Sequence, residues 1–320
     1  MKRTRFWRPI GPGMGALDAR TRIGGVELPN PIMTASGTSG HGAELAAYFP
    51  LQQLGAVVVK SLSAEPWPGN PAPRLHEAGE AMLNSVGLQG PGVPAWIADD
   101  LPALQRARAR VVASIWGRTV DEYEKAAIAL SGVPDDVVAV EANLSCPNLD
   151  GGKHLFAQSV RATTDAIGAV SAALDRPVWA KLTAHVTNIA EIAEAATAAG
   201  AAAVTITNTM LAMAIDPETR RPRLGAGGGG LSGPAIHPIA VRAVHDVRSA
   251  LPEAVIVGVG GVATGLDAVE LLLAGASAVQ VGTATFADPR APVRVLEELL
   301  EWCSRHGVKA VREIIGGTDG

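Results

Sequence analysis

The chain has only two cysteines in 320 residues, Cys146 and Cys303. Two cysteines so far apart in sequence do not form the disulfide framework of a small secreted protein. No Cys-x-x-Cys pair is present, so the sequence has no motif for structural zinc or for an iron–sulfur cluster of its own. We therefore expect a cytoplasmic protein whose thiols are reduced and whose site holds no metal.

A large excess of basic charge is also missing. The chain has 27 Lys and Arg against 31 Asp and Glu, which gives a net charge of −4 and a pI of about 6.0. Proteins that bind nucleic acid usually show a basic patch and a high pI. We therefore expect no nucleic-acid partner.

Long hydrophobic segments are scarce. The basic N-terminus runs into Pro and Gly rather than into an apolar segment, so we expect no signal peptide. The longest stretch without a charged residue is Ala195–Ile215, which approaches the length of a membrane span. It contains several threonines, an asparagine and a glycine, and it divides into a helix end and a strand. We therefore expect no membrane insertion.

What the chain does contain is a repeated alternation of strand-like and helix-like segments. Eight short apolar runs are Pro31–Ser36, Ala56–Ser63, Arg110–Gly117, Val137–Cys146, Pro177–Thr183, Ala202–Thr209, Ala254–Gly261 and Ala278–Thr285. Apolar residues at helical spacing separate them, as in Thr119–Leu130, Asn188–Ala199, Ile236–Ala250 and Leu266–Ala274. Strands that alternate with helices indicate an α/β fold with parallel strands, and eight such units predict a single-domain (β/α)8 TIM barrel.

A doubly wound open sheet is the alternative fold. Its glycine-rich phosphate loop should follow the first strand, whereas here the glycines cluster after strands seven and eight. Within the barrel interpretation, residues 1–22 form an N-terminal extension and residues 23–320 form the barrel itself.

Two connections are too long to be simple turns. Ala64–Pro94 follows the second predicted strand, and Met210–Gly233 follows the sixth. Both come after the carboxyl ends of strands, where barrel enzymes build their active sites. We expect the first to be an ordered rim with a small sheet, and the second, which contains the run Gly227–Gly230, to be mobile.

Polar residues stand at the carboxyl ends of several predicted strands: Lys60-Ser61, Asn143–Asn148, Lys181 and Asn208-Thr209. In a barrel these side chains converge on one mouth. A single lysine at a strand end is usually a solvated charge. Two lysines on apolar strands instead indicate a bound anion, because a buried ammonium needs a partner of opposite charge.

Glycines follow the last two predicted strands, at Gly258, Gly260, Gly261 and Gly282. The loops after strands seven and eight are the usual phosphate site of these barrels, and glycine lets backbone N–H groups approach a phosphate closely. The pattern predicts a phosphorylated ligand, although ordinary turns also use glycine.

Cys146 follows an apolar strand and precedes Pro147, among Asn143, Ser145 and Asn148. A lone cysteine is often a small core residue. A thiol with a modestly lowered pKa also serves as a general base. The spacing alone leaves both interpretations open.

The sequence resembles the dihydroorotate dehydrogenase family from about Leu28 to Pro289. The matching stretches are Asn30–Gly40, Lys60-Ser61, Gly69–Arg74, Leu83–Gln89, Asn143–Asn148, Asn208-Thr209, Gly229–Pro234 and Val281–Thr283. This resemblance implies an FMN-dependent enzyme that oxidises dihydroorotate to orotate in pyrimidine (UMP) biosynthesis. Cys146 matches the base that removes the C5 proton, while the C6 hydride passes to the flavin.

The resemblance also assigns the remaining site residues. Lys60 matches a catalytic lysine that contacts both flavin and substrate. The residues that match the substrate contacts are Lys60, Asn84, Asn143, Asn148, Asn208 and Thr209. Those that match the flavin contacts are Ala35, Ser36, Lys60, Ser61, Asn143, Lys181, Gly233, Gly260, Gly261, Gly282 and Thr283.

The cysteine base is typical of the soluble class of this family. One group in that class is a homodimer that uses fumarate, and the other pairs with a separate FAD/[2Fe–2S] subunit that passes electrons to NAD. The segment Leu149–Phe156 resembles the second group.

Two alternatives to this function are a related barrel acting on another dihydropyrimidine and a catalytically silent barrel. Retention of Cys146 and both lysines argues against the silent barrel.

Overall fold

The computed structural model describes residues 17–145 and 155–318. Eight parallel strands form the central sheet and are called β1 to β8 in chain order. Their bounds are Ile32–Thr34, Val57–Val58, Val111–Ile115, Val137–Asn143, Val178–Leu182, Ala203–Ile206, Ile256–Val259 and Ala278–Val281. Each strand falls within one of the eight apolar runs of the sequence, so the predicted strand order is confirmed.

The sheet closes into a barrel between β1 and β2. Its hydrogen-bonded order is β1-β8-β7-β6-β5-β4-β3-β2. The two end strands meet through a parallel bridge between Met33 and Ala56. The Gly55 N–H donates to the carbonyl of Ile32 at 2.7 Å, next to that bridge. The (β/α)8 TIM barrel is therefore confirmed over the open doubly wound sheet.

Helices cover the outside of the barrel. The α-helices are Val93–Ala95, Leu101–Arg106, Val120–Ala129, Val160–Ala172, Ile189–Ala198, His237–Ala250, Gly265–Leu273, Ala284–Ala287 and Ala291–Arg305. A π-helical turn, Trp96–Asp100, joins the first two, and 3₁₀ turns lie at Glu44–Ala47, Leu51–Gln53, Phe156–Gln158, Pro234–Ile236 and Val311–Ile314. Within the described ranges, no helix is both long enough and apolar enough to cross a bilayer.

Side-chain caps fix where several of these helices begin. Thr119 accepts from the N–H of Glu122, Ser159 from that of Ala162, and Asn188 from that of Ala190. Such a cap satisfies one of the N–H groups that the first helical turn leaves without a backbone partner. The predicted helices Thr119–Leu130 and Asn188–Ala199 are each one residue longer at both ends than the observed ones, because they include their caps.

The amino-terminal end of the barrel is closed by a two-stranded hairpin, Thr21–Ile23 with Val26–Leu28. Ile23 and Leu28 pack against inward-facing residues of the barrel such as Met33 and Trp179, and all four are buried. The opposite end, where the strands finish, therefore remains available for a site. The boundary between an extension ending at residue 22 and the barrel stays a prediction.

Both long connections contribute to one antiparallel rim sheet above the carboxyl ends of the strands. Its strands, in spatial order, are Met210–Ala212, Gly229–Ser232, Ala81–Asn84 and Leu75–Ala78. The small sheet predicted for Ala64–Pro94 is therefore present. Two further strands of the second connection, Ile215–Asp216 and Arg221–Pro222, form a separate hairpin.

The second connection, which is predicted to be mobile, contains regular strands, and two of its glycines lie close to neighbouring segments. A Cβ at Gly229 would lie 2.2 Å from the carbonyl oxygen of Asn84, and one at Gly230 would lie 2.1 Å from Oγ1 of Thr209. These glycines permit close packing of the sheet against its neighbours. The end of the predicted eighth strand also needs correction, because β8 stops at Val281 and Thr285 lies in the helix Ala284–Ala287.

Candidate active site

A cavity lies at the carboxyl ends of the barrel strands, with the rim sheet at its edge. It is lined by every predicted site residue that the structure describes: Ala35, Ser36, Lys60, Ser61, Asn84, Asn143, Lys181, Asn208, Thr209, Gly233, Gly260, Gly261, Gly282 and Thr283. The other two predicted residues, Cys146 and Asn148, lie outside the described residues. The structure thus brings together residues that are up to 248 positions apart, from Ala35 to Thr283.

Asn143, the last residue of β4, connects two sides of the cavity. Its Nδ2 donates to Oγ of Ser61 at 3.1 Å, and its Oδ1 accepts from Nδ2 of Asn208 at 2.9 Å. Its backbone carbonyl accepts from the Tyr123 hydroxyl at 2.5 Å. Tyr123 is fully buried in the helix Val120–Ala129, so this helix fixes the end of the strand from behind.

Hydroxyl groups on the β1–β2 side form a short chain of hydrogen bonds. Oγ of Ser61 lies 3.1 Å from Oγ of Ser36 and 2.9 Å from Oγ of Ser114. Because Ser61 also accepts from Asn143, its position is fixed from three directions. Ser114 was not among the predicted residues. It occupies an inward position of β3, and its only sequence signal is a hydroxyl within an apolar run.

Lys60 stands at the edge of the cavity without an acidic neighbour in hydrogen-bonding distance among the described residues. Burial lowers the pKa of its ammonium group, and the positive charge of Arg74 lowers it further. A buried cation without a counter-charge is unfavourable, and an anionic ligand would relieve this cost. This arrangement matches the sequence-based expectation of a bound anion.

Lys181, on β5, has a different environment. Its Nζ lies 3.6 Å from Oε1 of Glu141 and 3.4 Å from Oε1 of Gln280. Glu141 and Gln280 are fully buried and were not predicted as site residues. Their signal was present, since a glutamate and a glutamine interrupt otherwise apolar strands and buried polar groups need partners.

The loops after β7 and β8 present backbone donors to the cavity. Among the described residues, the N–H groups of Gly260, Gly261, Gly282 and Thr283 have no hydrogen-bond acceptor. Gly260 and Gly261 have φ angles of +137° and +71°, which favour glycine. Free N–H groups converging at glycine-rich turns form a suitable site for a phosphate.

His237 supports this loop and was also missed by the sequence reasoning. Its Nδ1 lies 2.9 Å from the carbonyl oxygen of Gly260, and its Nε2 lies 2.9 Å from Oε2 of Glu270. A Cβ at Gly261 would lie 2.6 Å from Cβ of His237. The histidine therefore fills the space directly behind the loop and links it to the helix Gly265–Leu273.

A second recess shares Lys60 with the main cavity and is also lined by His41 and Asp100. Burial lowers the pKa of His41, with a further contribution from the positive charge of Lys60. Burial also raises the pKa of Asp100. Neither residue was predicted, and both lie in connections outside the predicted strands.

The amides near the rim complete the cavity. Asn84, on the rim sheet, donates from Nδ2 to the carbonyl of Gly230 at 3.3 Å. Oδ1 of Asn208 accepts from the N–H of Thr209 at 2.8 Å. Taken together, the cavity offers cationic groups, amide donors and acceptors, and backbone N–H groups in the glycine-containing loops after β7 and β8. This chemistry suits a phosphorylated cofactor together with a small planar anion.

Comparison with known proteins gives a consistent result. The sequence model of the dihydroorotate dehydrogenase family matches residues 18–302. The catalytic subunit of dihydroorotate dehydrogenase B (NAD(+)) from Alkaliphilus oremlandii is 46% identical over 294 residues, which cover 92% of this chain and 96% of that protein. The corresponding subunit from Alkaliphilus metalliredigens is 45% identical over 303 residues, covering 95% and 99%.

A relative named for a different electron acceptor is similarly close. The putative dihydroorotate dehydrogenase A (fumarate) of Solibacter usitatus is 44% identical over 296 residues, which cover 92% of this chain and 97% of that protein. Because the family model spans most of the chain and these relatives match it almost end to end, the chain belongs to the dihydroorotate dehydrogenase family.

Proposed function

We propose that this chain oxidises (S)-dihydroorotate to orotate, a step of UMP synthesis, with FMN as the hydride acceptor. One observation carries the proposal. The described residues that the sequence resemblance assigns to flavin and substrate all line one cavity at the carboxyl end of the barrel. A catalytically silent barrel would have no need for one buried lysine, one half-buried lysine and three amides at one mouth.

The cavity fits FMN at the end formed by β7 and β8. The unpaired N–H groups of Gly260, Gly261, Gly282 and Thr283 suit the phosphate. Ala35, Ser36 and Ser61 line the same cavity and would contact the ring system. Lys181 is in position to stabilise negative charge on the reduced ring. When bound, FMN supplies the hydride acceptor, and the protein supplies binding, orientation and electrostatics.

The remaining polar groups fit the substrate. Lys60 provides a positive charge for the carboxylate of dihydroorotate. Asn84, Asn143 and Asn208 provide amide donors and acceptors for the in-plane edge of the ring. A ligand lacking one of these partners would leave a buried polar group unsatisfied, at a cost of about 1–3 kcal/mol. Thr209 and Asn148, which are also proposed to contact the substrate, complete this set.

Cys146 is proposed to act as the base. Its thiolate takes the proton from C5 of dihydroorotate, while the hydride leaves C6, so that the C5–C6 double bond of orotate forms. The supports are the family resemblance and its position in the sequence directly after Ser145, a residue that lines the cavity. A thiolate is the reactive form of cysteine, and nearby cations favour it.

The first experiment is an anaerobic visible spectrum of the purified, FMN-loaded protein before and after addition of dihydroorotate. We expect a yellow protein that bleaches. Cys146→Ala should keep the flavin and lose substrate-driven bleaching, whereas Cys303→Ala, at a buried position of the helix Ala291–Arg305, should bleach normally. A yellow wild-type protein that stays oxidised indicates another ring substrate, and a protein that takes up no FMN indicates the silent barrel.

We further infer the setting in which this activity operates. The resemblance of Leu149–Phe156 supports electron transfer to NAD through a separate FAD/[2Fe–2S] subunit, and the names of two relatives as catalytic subunits are consistent with such a partner. A homodimer that uses fumarate is the competing arrangement.

The scarcity of cysteine supports a cytoplasmic location. A homodimer is expected from the resemblance, and light scattering of the purified protein tests it.

A further inference from the structure

Four polar side chains form a buried cluster inside the barrel, and three of them lie one layer deeper than the cavity. They are Glu141 on β4, Lys181 on β5, Thr205 on β6 and Gln280 on β8, and we call them the floor cluster. Lys181 is 5% exposed and the other three are 0% exposed. Glu141 precedes Asn143 by two residues on the same strand, so the two side chains point in the same direction, into the barrel.

The two carboxylate oxygens of Glu141 have separate roles. Oε2 accepts from Nε2 of Gln280 at 2.8 Å and from Oγ1 of Thr205 at 3.0 Å. Oε1 has no hydrogen-bond partner among the described residues. It lies 3.6 Å from Nζ of Lys181, so this oxygen is directed at the ammonium group. Two neutral residues thus hold the carboxylate in place while its free oxygen faces the lysine.

Lys181 is held from below by two groups. Its Nζ is near Oε1 of Glu141 and donates to Oε1 of Gln280 at 3.4 Å. An ammonium group has three N–H donors. Two of these N–H groups are directed at Glu141 and Gln280, so the third is left for the cavity that Lys181 lines. The orientation of the charge toward a ligand is therefore determined by residues that do not line the cavity themselves.

The same geometry determines whether Lys181 is charged. A buried lysine without a counter-charge favours its neutral form, because burial disfavours the ammonium. Within the described ranges, the ion pair of Lys181 is with Glu141 alone, and its hydrogen-bond partner on β8, Gln280, is neutral. Loss of the carboxylate would leave an unpaired buried cation, which is more costly than an intact pair.

We propose that Glu141 is a positioning residue that keeps Lys181 charged and directed at the cavity, and that it thereby sets the reduction potential of the flavin bound there. This inference rests on the proposed function, because it assumes that FMN occupies the cavity beside Lys181. It assigns a role to a fully buried carboxylate that itself contacts neither cofactor nor substrate.

The first test is the pH dependence of the flavin midpoint potential in Glu141→Gln, measured by equilibration with redox dyes. Without the carboxylate, Lys181 becomes neutral beside oxidised flavin and takes up a proton when negative charge forms on reduction. The potential of the variant should therefore fall more steeply with pH than that of the wild type. One additional proton per two electrons corresponds to about 30 mV per pH unit.

Matched variants separate charge from packing. Thr205→Val removes a hydrogen bond to the same carboxylate but keeps the charge, so its potential should follow the wild-type slope. Glu141→Gln combined with Lys181→Met removes both charges, so the additional proton should disappear. If Glu141→Gln acts through packing alone, Thr205→Val and the double variant should show the same altered slope.

A second measurement needs no flavin. In flavin-free Glu141→Gln, Lys181 has lost its buried counter-charge, so protonation favours the unfolded state and stability rises with pH. The loss in denaturant midpoint relative to the wild type should be largest near neutral pH and should shrink toward about pH 10. The double variant should lack this trend.

The outcomes are distinct. A protein that takes up no FMN would overturn the proposed function, while the flavin-free measurement would still test the Glu141–Lys181 pair. A Glu141→Gln variant with the potential slope and the pH-dependent stability of the wild type would overturn this inference and leave the proposed function intact.

Discussion

Lys60 shows how one side chain links burial to function. It lines the cavity, and among the described residues no carboxylate lies within ion-pair distance of it. We expect Lys60→Met to keep its flavin and to slow its reduction by dihydroorotate at least about thirtyfold, because removing one member of a buried charge pair costs on the order of 2–5 kcal/mol. Anaerobic stopped-flow measurement of flavin bleaching tests this.

The matched control is Lys125→Met, which neutralises an exposed lysine on the helix Val120–Ala129. Its reduction rate should equal that of the wild type. If the two variants slow the reaction equally, the effect arises from overall charge and not from the position of Lys60.

The lowered pKa of Lys60 also predicts a pH dependence. In the proposed function the ammonium form binds the substrate carboxylate, so KM should be low below the folded-state pKa and should rise as pH increases through it. Because burial lowers this pKa, the rise should begin below the usual value for lysine. In Lys60→Arg the guanidinium does not titrate in this range, so KM measured over about pH 6–10 should lack the rise.

The charged form of Lys60 favours substrate binding but lowers the stability of the flavin-free protein. Its folded-state pKa is below its unfolded value, so the charged lysine destabilises the flavin-free protein at low and neutral pH. That loss is recovered as pH rises toward the unfolded value. Flavin-free Lys60→Met should therefore be more stable than the wild type at neutral pH, with a difference that shrinks in alkali.

Among single residues, the sequence predicted those at the ends of strands and missed the residues that hold these side chains in place. Lys60, Lys181 and Asn143 stand out because a polar residue follows an apolar run. Glu141 and His237 act through other residues, and their partners are distant in sequence, with Gln280 on β8 and Glu270 on a later helix. Only the closed barrel brings these pairs together, so spacing along the chain could not reveal them.

At the scale of elements, the loop after β7 depends on glycine. Gly261 has φ of +71°, and a Cβ there would lie 2.6 Å from Cβ of His237. We expect Gly261→Ala to lose about 1–2 kcal/mol from backbone strain, a further amount from the clash, and at least about tenfold in FMN affinity. Thermal unfolding and flavin titration measure the two effects.

Gly132 provides the control for that substitution. Its φ is +78°, and a Cβ there would have no atom within 4 Å. Gly132→Ala should therefore show the backbone strain alone, with unchanged flavin affinity. Equal loss of affinity in both variants would show that the loop after β7 is not the phosphate site.

The helix Val120–Ala129 supports the end of β4 through one hydroxyl. Tyr123 donates to the carbonyl of Asn143 at 2.5 Å, and its ring packs edge-on against Phe156 with centroids 5.2 Å apart. We expect Tyr123→Phe to lower the free energy of unfolding by about 1–2 kcal/mol, because a buried carbonyl loses a donor. Tyr48→Phe, at an exposed ring, should be neutral in the same denaturant titration.

Strands could be predicted from the sequence where a local residue pattern determines them. Each predicted strand contains an observed one, because apolar runs with β-branched residues mark buried parallel strands. The rim sheet was harder, since its four strands come from two connections about 130 residues apart and pair only when the barrel is closed. The mobility predicted for Met210–Gly233 stays a prediction, and the close packing of Gly229 and Gly230 could not be predicted because their neighbours are distant in sequence.

At the scale of the whole molecule, cysteine content limits the electron path. A [2Fe–2S] cluster is usually held by four cysteine thiolates, and the chain has two cysteines in all, one of them buried in the core at Cys303. If electrons leave through such a cluster, another polypeptide must hold it. This argument follows from composition alone and is independent of the structure of the site.

The acceptor can therefore be assigned by reoxidation. We expect the FMN-loaded chain, reduced by dihydroorotate without oxygen, to remain reduced when NAD+ is added and to reoxidise only when an FAD/[2Fe–2S] subunit encoded in the same genome is also present. Absorbance of the flavin and of NADH follows both sides of the transfer. The matched experiment adds fumarate to the reduced chain without any partner subunit. Rapid reoxidation by fumarate would place the chain with the fumarate-linked relatives, and rapid reoxidation by NAD+ alone would show that no partner is needed.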